Sequence, residues 1–182
     1  MGIRLPRPGE RGAKWEPCVE ESAEGCKLIV PDLRGHGRSM NPTNKFTHRQ
    51  SALDVHALLD KLGVEKFRGM GISSGGLTLI LMATQQPDRA EAIVLIGATI
   101  NFPEQAREIM REVSVEGLTE QDGEARRARH KNGDDQIRAL IQQIHDFKDS
   151  CDDMNDTPPY LSTIKARNLF IHGDRDIFFP VD

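Results

Sequence analysis

Lys66-Phe67-Arg68-Gly69-Met70-Gly71-Ile72-Ser73-Ser74-Gly75-Gly76 reads as a short strand driven into a G-x-S-x-G turn, with an apolar helix directly behind it. Such a turn strains the backbone of its central serine, lifts Oγ clear of the sheet and aims the next backbone N–H at the same point in space. The residues two before and two after the lifted serine approach closely, so both must be small. Gly71 and Gly75 meet that demand for Ser73, whereas centring the turn on Ser74 would force Ile72 into the crowded position. The stretch is a nucleophile elbow built on Ser73, with the Ser74 N–H as oxyanion donor.

Working outward, a helix is expected from about Gly75 to Gln86, closed by Pro87. Leu77, Leu79, Ile80, Leu81 and Met82 cover most of its circumference, the pattern of a buried central helix. Ala92 to Gly97 is a short, β-branched apolar run of the kind a parallel sheet buries on both faces. Upstream, Thr47-His48-Arg49-Gln50 has the form of a capping box, and Ala52, Val55, Leu58, Leu59 and Leu62 follow at helical spacing until Gly63. Lys27 to Pro31 is the first convincing strand. Residues 1 to 12 mix two prolines, three glycines and three arginines without period, and no regular structure is expected there.

After Phe102 the strands disappear until about Pro159. Ile137, Leu140, Ile141, Ile144 and Phe147 mark the clearest apolar stripe, and Pro103 stands where a helix could begin. Strand character returns at Asn168 to Ile171 and leads into His172-Gly173-Asp174-Arg175-Asp176. Strands alternating with helices imply an α/β fold of three layers around a mainly parallel sheet. The expected divisions are an irregular segment 1–12, a first core part 13–101, a helical cap insertion 102–160 and a second core part 161–182.

At 182 residues the chain suits one domain. A net charge of -4 gives no electrostatic footprint for nucleic acid, and the basic cluster Arg126, Arg127, Arg129, His130 and Lys131 reads as a solvated helix face. No apolar run approaches a membrane span of roughly 20 residues, and nothing resembles a signal peptide, so a cytoplasmic protein is expected. Cys18, Cys26 and Cys151 lack C-x-x-C spacing and read as reduced thiols. Gly69-Met70-Gly71 falls short of a dinucleotide loop because Ser74 takes the third glycine position. Met70, Met82 and Met110 read as packing residues.

Taken together, residues from about Trp15 to Asp182 resemble the α/β-hydrolase fold family. Pro31-Asp32-Leu33-Arg34-Gly35-His36-Gly37-Arg38-Ser39, the elbow at Ser73 and the His172 to Asp176 turn carry the resemblance, in family order. It implies a serine hydrolase acting on a small ester, lactone or similar acyl substrate. Ser73 would be the nucleophile and Asp176 the acid, with Asp174 organising the turn. A serine at the elbow argues against the dehalogenase and epoxide-hydrolase branches, which use a carboxylate nucleophile. The resemblance implies no cofactor and no metal, since the ordinary family role of His172, Asp174 and Asp176 explains them without one.

Two departures stand out. Family order is serine, acid, histidine, yet only six residues follow Asp176 and none is a histidine, so the catalytic base is absent from the chain. His36, His48, His56, His130, His145 and His172 are each expected to be exposed or engaged in structural hydrogen bonds. The family also places a strand between the Lys27 strand and the elbow strand, followed by a loop with the second oxyanion donor, and residues 1 to 12 show nothing like it. A chain truncated at both ends, with a gap in mid-sheet, is the expectation. The alternative function is an inactive fragment that keeps the scaffold without turnover; a binding module using the cap surface has no specific support.

Overall fold

Apolar runs too short for helices, separated by helical stretches, are the pattern of strands paired in parallel through crossovers. In the computed structural model, which describes residues 1–5, 27–154 and 156–180, five such strands form one sheet. They are β1 (Gly2–Leu5), β2 (Leu28–Ile29), β3 (Phe67–Ile72), β4 (Ala90–Ile96) and β5 (Arg167–Ile171). Their order is β2-β1-β3-β4-β5 and every neighbouring pair is parallel.

The expectation of irregular structure over residues 1 to 12, and of a one-strand gap beside the elbow strand, is overturned by β1. Gly2-Ile3-Arg4-Leu5 lies between β2 and β3, with Ile3 opposite Ile29 on one side and Gly69 on the other, and Leu5 opposite Gly71. Ile3 and Leu5 alternate with more exposed neighbours and are almost wholly buried, a period-two pattern too brief to stand out against Pro6 and Pro8. Residues 6–12 lie outside the described residues, as do Cys18 and Cys26. The following strand is shorter than the expected Lys27 to Pro31. Replacing Leu5 by alanine should therefore cost about 3 kcal/mol in a urea titration, as for a core leucine. An unchanged midpoint would put this segment outside the sheet.

Helix α1 (His48–Lys61) starts at Thr47, whose hydroxyl accepts from the Gln50 N–H. The reciprocal half of the expected capping box is missing, because the Gln50 side chain donates to Asp54 instead. Helix α2 (Ser74–Gln85) is buried over nearly its whole length, as its all-round apolar sequence requires. It lies on β1, β3 and β4 and packs against α1. On that face Phe67, Ile93 and Leu95 are buried; opposite them Met70, Val94 and Ile96 are only half-buried, so β4 alternates rather than being buried on both sides. Throughout β5 the side chains are exposed, including Leu169, Phe170 and Ile171.

Between β4 and β5 the chain forms α3 (Glu104–Glu112), α4 (Glu120–Arg129), α5 (Gly133–Asp146), a 3-10 turn (Phe147–Asp149) and α6 (Pro158–Leu161). Pro103 is the residue that caps α3. Of the expected stripe, Ile137, Leu140, Ile141 and Phe147 are buried and Ile144 is partly so.

Candidate active site

The turn between β3 and α2 has the geometry its glycines imply. Ser73 sits at φ 50 and ψ -123, a left-handed backbone that non-glycine residues rarely adopt. Its N–H donates to the Ile96 carbonyl at the end of β4, and its carbonyl accepts from Leu77 to begin α2. A Cβ on Gly71 would lie 2.5 Å from the Gly75 carbonyl oxygen and 2.6 Å from the Gly76 nitrogen, so only glycine fits there. Ser74 is the first residue of α2, where a backbone N–H has no partner within its own helix. The positive end of the helix dipole adds to its pull on an anion.

Asp176 stands beside the same sheet edge, its Oδ2 3.4 Å from where a Cβ on Gly97 would be, just past β4. Its Oδ1 accepts the Phe178 and Phe179 N–H groups at 2.9 and 3.0 Å. Asp176 rather than Asp174 thus organises the turn, and among the described residues the exposed Asp174 makes no side-chain hydrogen bond. His172 reaches Asp176 only at 3.9 Å, and its Nε2 donates to the Phe179 carbonyl at 2.6 Å.

The imidazole nearest the elbow is His48, the first residue of α1. Its Nε2 lies 2.6 Å from Ser74 Oγ and its Nδ1 lies 2.6 Å from Asp153 Oδ2, with all three residues buried. The carboxylate also accepts the backbone N–H of His48 at 2.8 Å and of Arg49 at 3.1 Å. Burial pushes the Asp153 carboxyl up, but the hydrogen bonds and charge of His48 outweigh it and hold the group below its ordinary value. An ionised carboxylate only accepts, so Nδ1 carries the proton toward it, while Nε2 accepts from the Ser74 hydroxyl when the ring is neutral and donates to it when the ring is charged. Nearby, burial first and the charge of Asp153 in addition hold Asp156 above its ordinary value, although Arg49 pulls the other way.

Aromatic rings enclose this chain of hydrogen bonds. Phe147 stacks on His48 at 5.1 Å, Phe46 meets it edge-on at 5.3 Å, and Phe102 stacks on Phe147 at 5.4 Å. The sequence places His48 on a helix, exposed or in a structural hydrogen bond, and does not identify its partners. A histidine directly after the Thr47 cap was the available signal, but Asp153 is 105 residues away and no local pattern joins them.

The Asp32 to Ser39 loop is tied down from both sides. Asp32 accepts the Arg38 N–H at 3.1 Å, and Arg34 pairs with Asp54 through two bonds of 2.8 and 2.7 Å. His130 Nδ1 accepts the Gly37 N–H at 3.0 Å, so this histidine is buried rather than part of a solvated basic face. Burial lowers His36 from 6.5 to about 4, against the Arg34 carbonyl that accepts its Nδ1 proton. The unfolded chain takes up this proton near pH 6.5 and the folded chain only near 4. Stability is therefore full above the upper value and falls as pH drops toward the lower one, by up to about 1.4 kcal/mol per pH unit. His36→Gln should flatten that part of a plot of urea midpoint against pH.

Among the described residues no group of three or more His, Cys, Asp or Glu side chains could hold a metal ion, and no helix is long and apolar enough to cross a membrane. Cys151 is a free, exposed thiol.

Comparison with known proteins agrees with this architecture. The family model for the alpha/beta hydrolase fold matches residues 8–177, and the chain belongs to that family. A 2-hydroxymuconate semialdehyde hydrolase of Pseudomonas sp. is 34% identical over 94 residues, covering 50% of this chain and 33% of the relative. The 3-oxoadipate enol-lactonase 2 of Acinetobacter baylyi is 32% identical over 116 residues, 61% of this chain and 42% of its own. Matches thus span well under half the length of these relatives. In three dimensions the chain is similar to the 2-hydroxy-6-oxo-6-phenylhexa-2,4-dienoate hydrolase of Rhodococcus sp. strain RHA1. The TM-score is 0.72 at 23% identity, over 100% of this chain and 75% of that one.

Proposed function

We propose that this chain carries the acyl-transfer centre of a serine hydrolase for a small ester, lactone or similar acyl compound. The observation that supports this most is the left-handed Ser73 at the junction of a central strand and a buried helix. Such strain persists only where the surroundings enforce it, and it presents the hydroxyl above the sheet. In this reading Ser73 Oγ attacks the acyl carbon as an imidazole base takes its proton, a group that must be brought to Ser73 because none of the described histidines bonds to it. The carbonyl oxygen becomes an oxyanion facing the Ser74 N–H, and the leaving group departs with a proton. Water then cleaves the acyl-serine by the same steps in reverse. Asp176 is the acid that would orient the base, and the helices of 102–160 would serve as the cap that shapes the substrate site. The names of the lactonase and semialdehyde hydrolase relatives support a small carbonyl substrate.

A second reading is a scaffold without turnover. It is favoured by one observation: among the described residues no imidazole hydrogen-bonds to Ser73, and His172, the ring nearest Asp176, is engaged by a backbone carbonyl. Hydrolysis of p-nitrophenyl acetate by the purified chain and by Ser73→Ala decides between them. Turnover lost in the variant supports the hydrolase; equal rates leave the scaffold.

A further inference from the structure

We propose that His48 and Asp153 are positioning residues that fix the direction of the Ser74 N–H, the oxyanion donor. This proposal rests on the hydrolase reading above. The N–H of a helix's first residue lacks an intrahelical partner, so no hydrogen bond of the helix's own sets its direction. A donor aimed at a developing charge helps only if its direction is set before the reaction begins. At Ser74 the restraint comes from the side chain, whose Oγ is held 2.6 Å from His48 Nε2.

The His48 ring is itself fixed at both ends. Asp153 binds Nδ1, and it also accepts the two N–H groups that open α1, so the carboxylate welds the start of α1 to the imidazole. Phe147 and Phe46 close the remaining sides of the ring. Phe147 and Asp153 both come from the end of the helical segment between β4 and β5. Movement of that segment is therefore transmitted through one imidazole to the first residue of α2. Its placement and the aim of the oxyanion donor are a single mechanical property.

The test uses a fluorophosphonate probe on the whole chain, comparing wild type with Ser74→Ala, His48→Gln and Asp153→Asn. Fragmentation of the adduct peptide assigns the labelled serine, and time courses separate the maximal inactivation rate from the binding constant. The adduct is expected on Ser73 throughout, with the maximal rate lowered roughly tenfold in each variant, part of what deletion of an oxyanion donor costs, and the binding constant unchanged. The residue 74 amide resonance in a nitrogen-15 spectrum should shift and broaden in His48→Gln and Asp153→Asn. Ser74→Ala, the smallest change, covers the case in which His48→Gln does not fold. Unchanged rates and an unchanged amide resonance in folded variants overturn the proposal, as does an adduct on Ser74. If wild type takes no label, the Ser73 reading fails by itself, and the amide resonance alone decides the positioning role.

Discussion

With a base in reach of Ser73 Oγ, Ser73→Ala is expected to reduce p-nitrophenyl acetate hydrolysis by at least about a thousandfold relative to wild type, with the urea midpoint close to unchanged, whereas without that base the two rates converge. A nucleophile that forms a covalent intermediate has no substitute once its oxygen is gone, whereas its contribution to packing here is small. Ser73 is partly exposed, and its structural bonds run through the backbone, to Ile96 and Leu77, which alanine retains. Ser73→Gly sharpens the experiment. At φ 50 any side chain is strained, so glycine should raise stability by about 1 kcal/mol while remaining as inactive as alanine. A variant both more stable and inert is the signature of strain kept for chemistry. An alanine variant that turns over ester as fast as wild type would remove Ser73 from the mechanism.

Gly71→Val should be the most destabilising single substitution at the elbow, costing about 4 kcal/mol or more by urea titration. The new Cβ would lie within 2.6 Å of three backbone atoms of Gly75 and Gly76. Backbone at the start of a buried helix cannot step aside as a flexible side chain can, so β3 and α2 would have to separate. Since α2 also rests on β1 and β4, that separation would spread through the sheet. Gly173→Ala is the matched control, because a Cβ there meets nothing within 4 Å, and it should change stability by less than about 0.5 kcal/mol. A Gly71→Val chain as stable as wild type would show that the turn does not depend on close approach.

What could be read from sequence was local. The elbow was legible because strand, small residues and apolar helix are contiguous, and α2 announced its central place by being apolar all round. The parallel sheet followed from alternation of short runs and helices. Other features depend on distance. Four residues of β1 followed by prolines carry too little periodicity to be recognised, and only neighbours on both sides make them a strand. The bond between His48 and Asp153, and that between Gly37 and His130, join residues about a hundred positions apart, which no spacing rule encodes. That Asp176 rather than Asp174 organises the turn depends on which carboxylate faces two backbone N–H groups, a matter of loop geometry rather than of composition.

The burial of α2 on every side bears on how the molecule fails. Protein backbones open in patches, and the patches with the most packed neighbours are the last to open. A strained serine mounted on the first residues of such a helix cannot relax by itself, because releasing it means freeing the innermost element. Heating should therefore leave the elbow intact until the cooperative melt, with reactivity and native structure vanishing at one temperature.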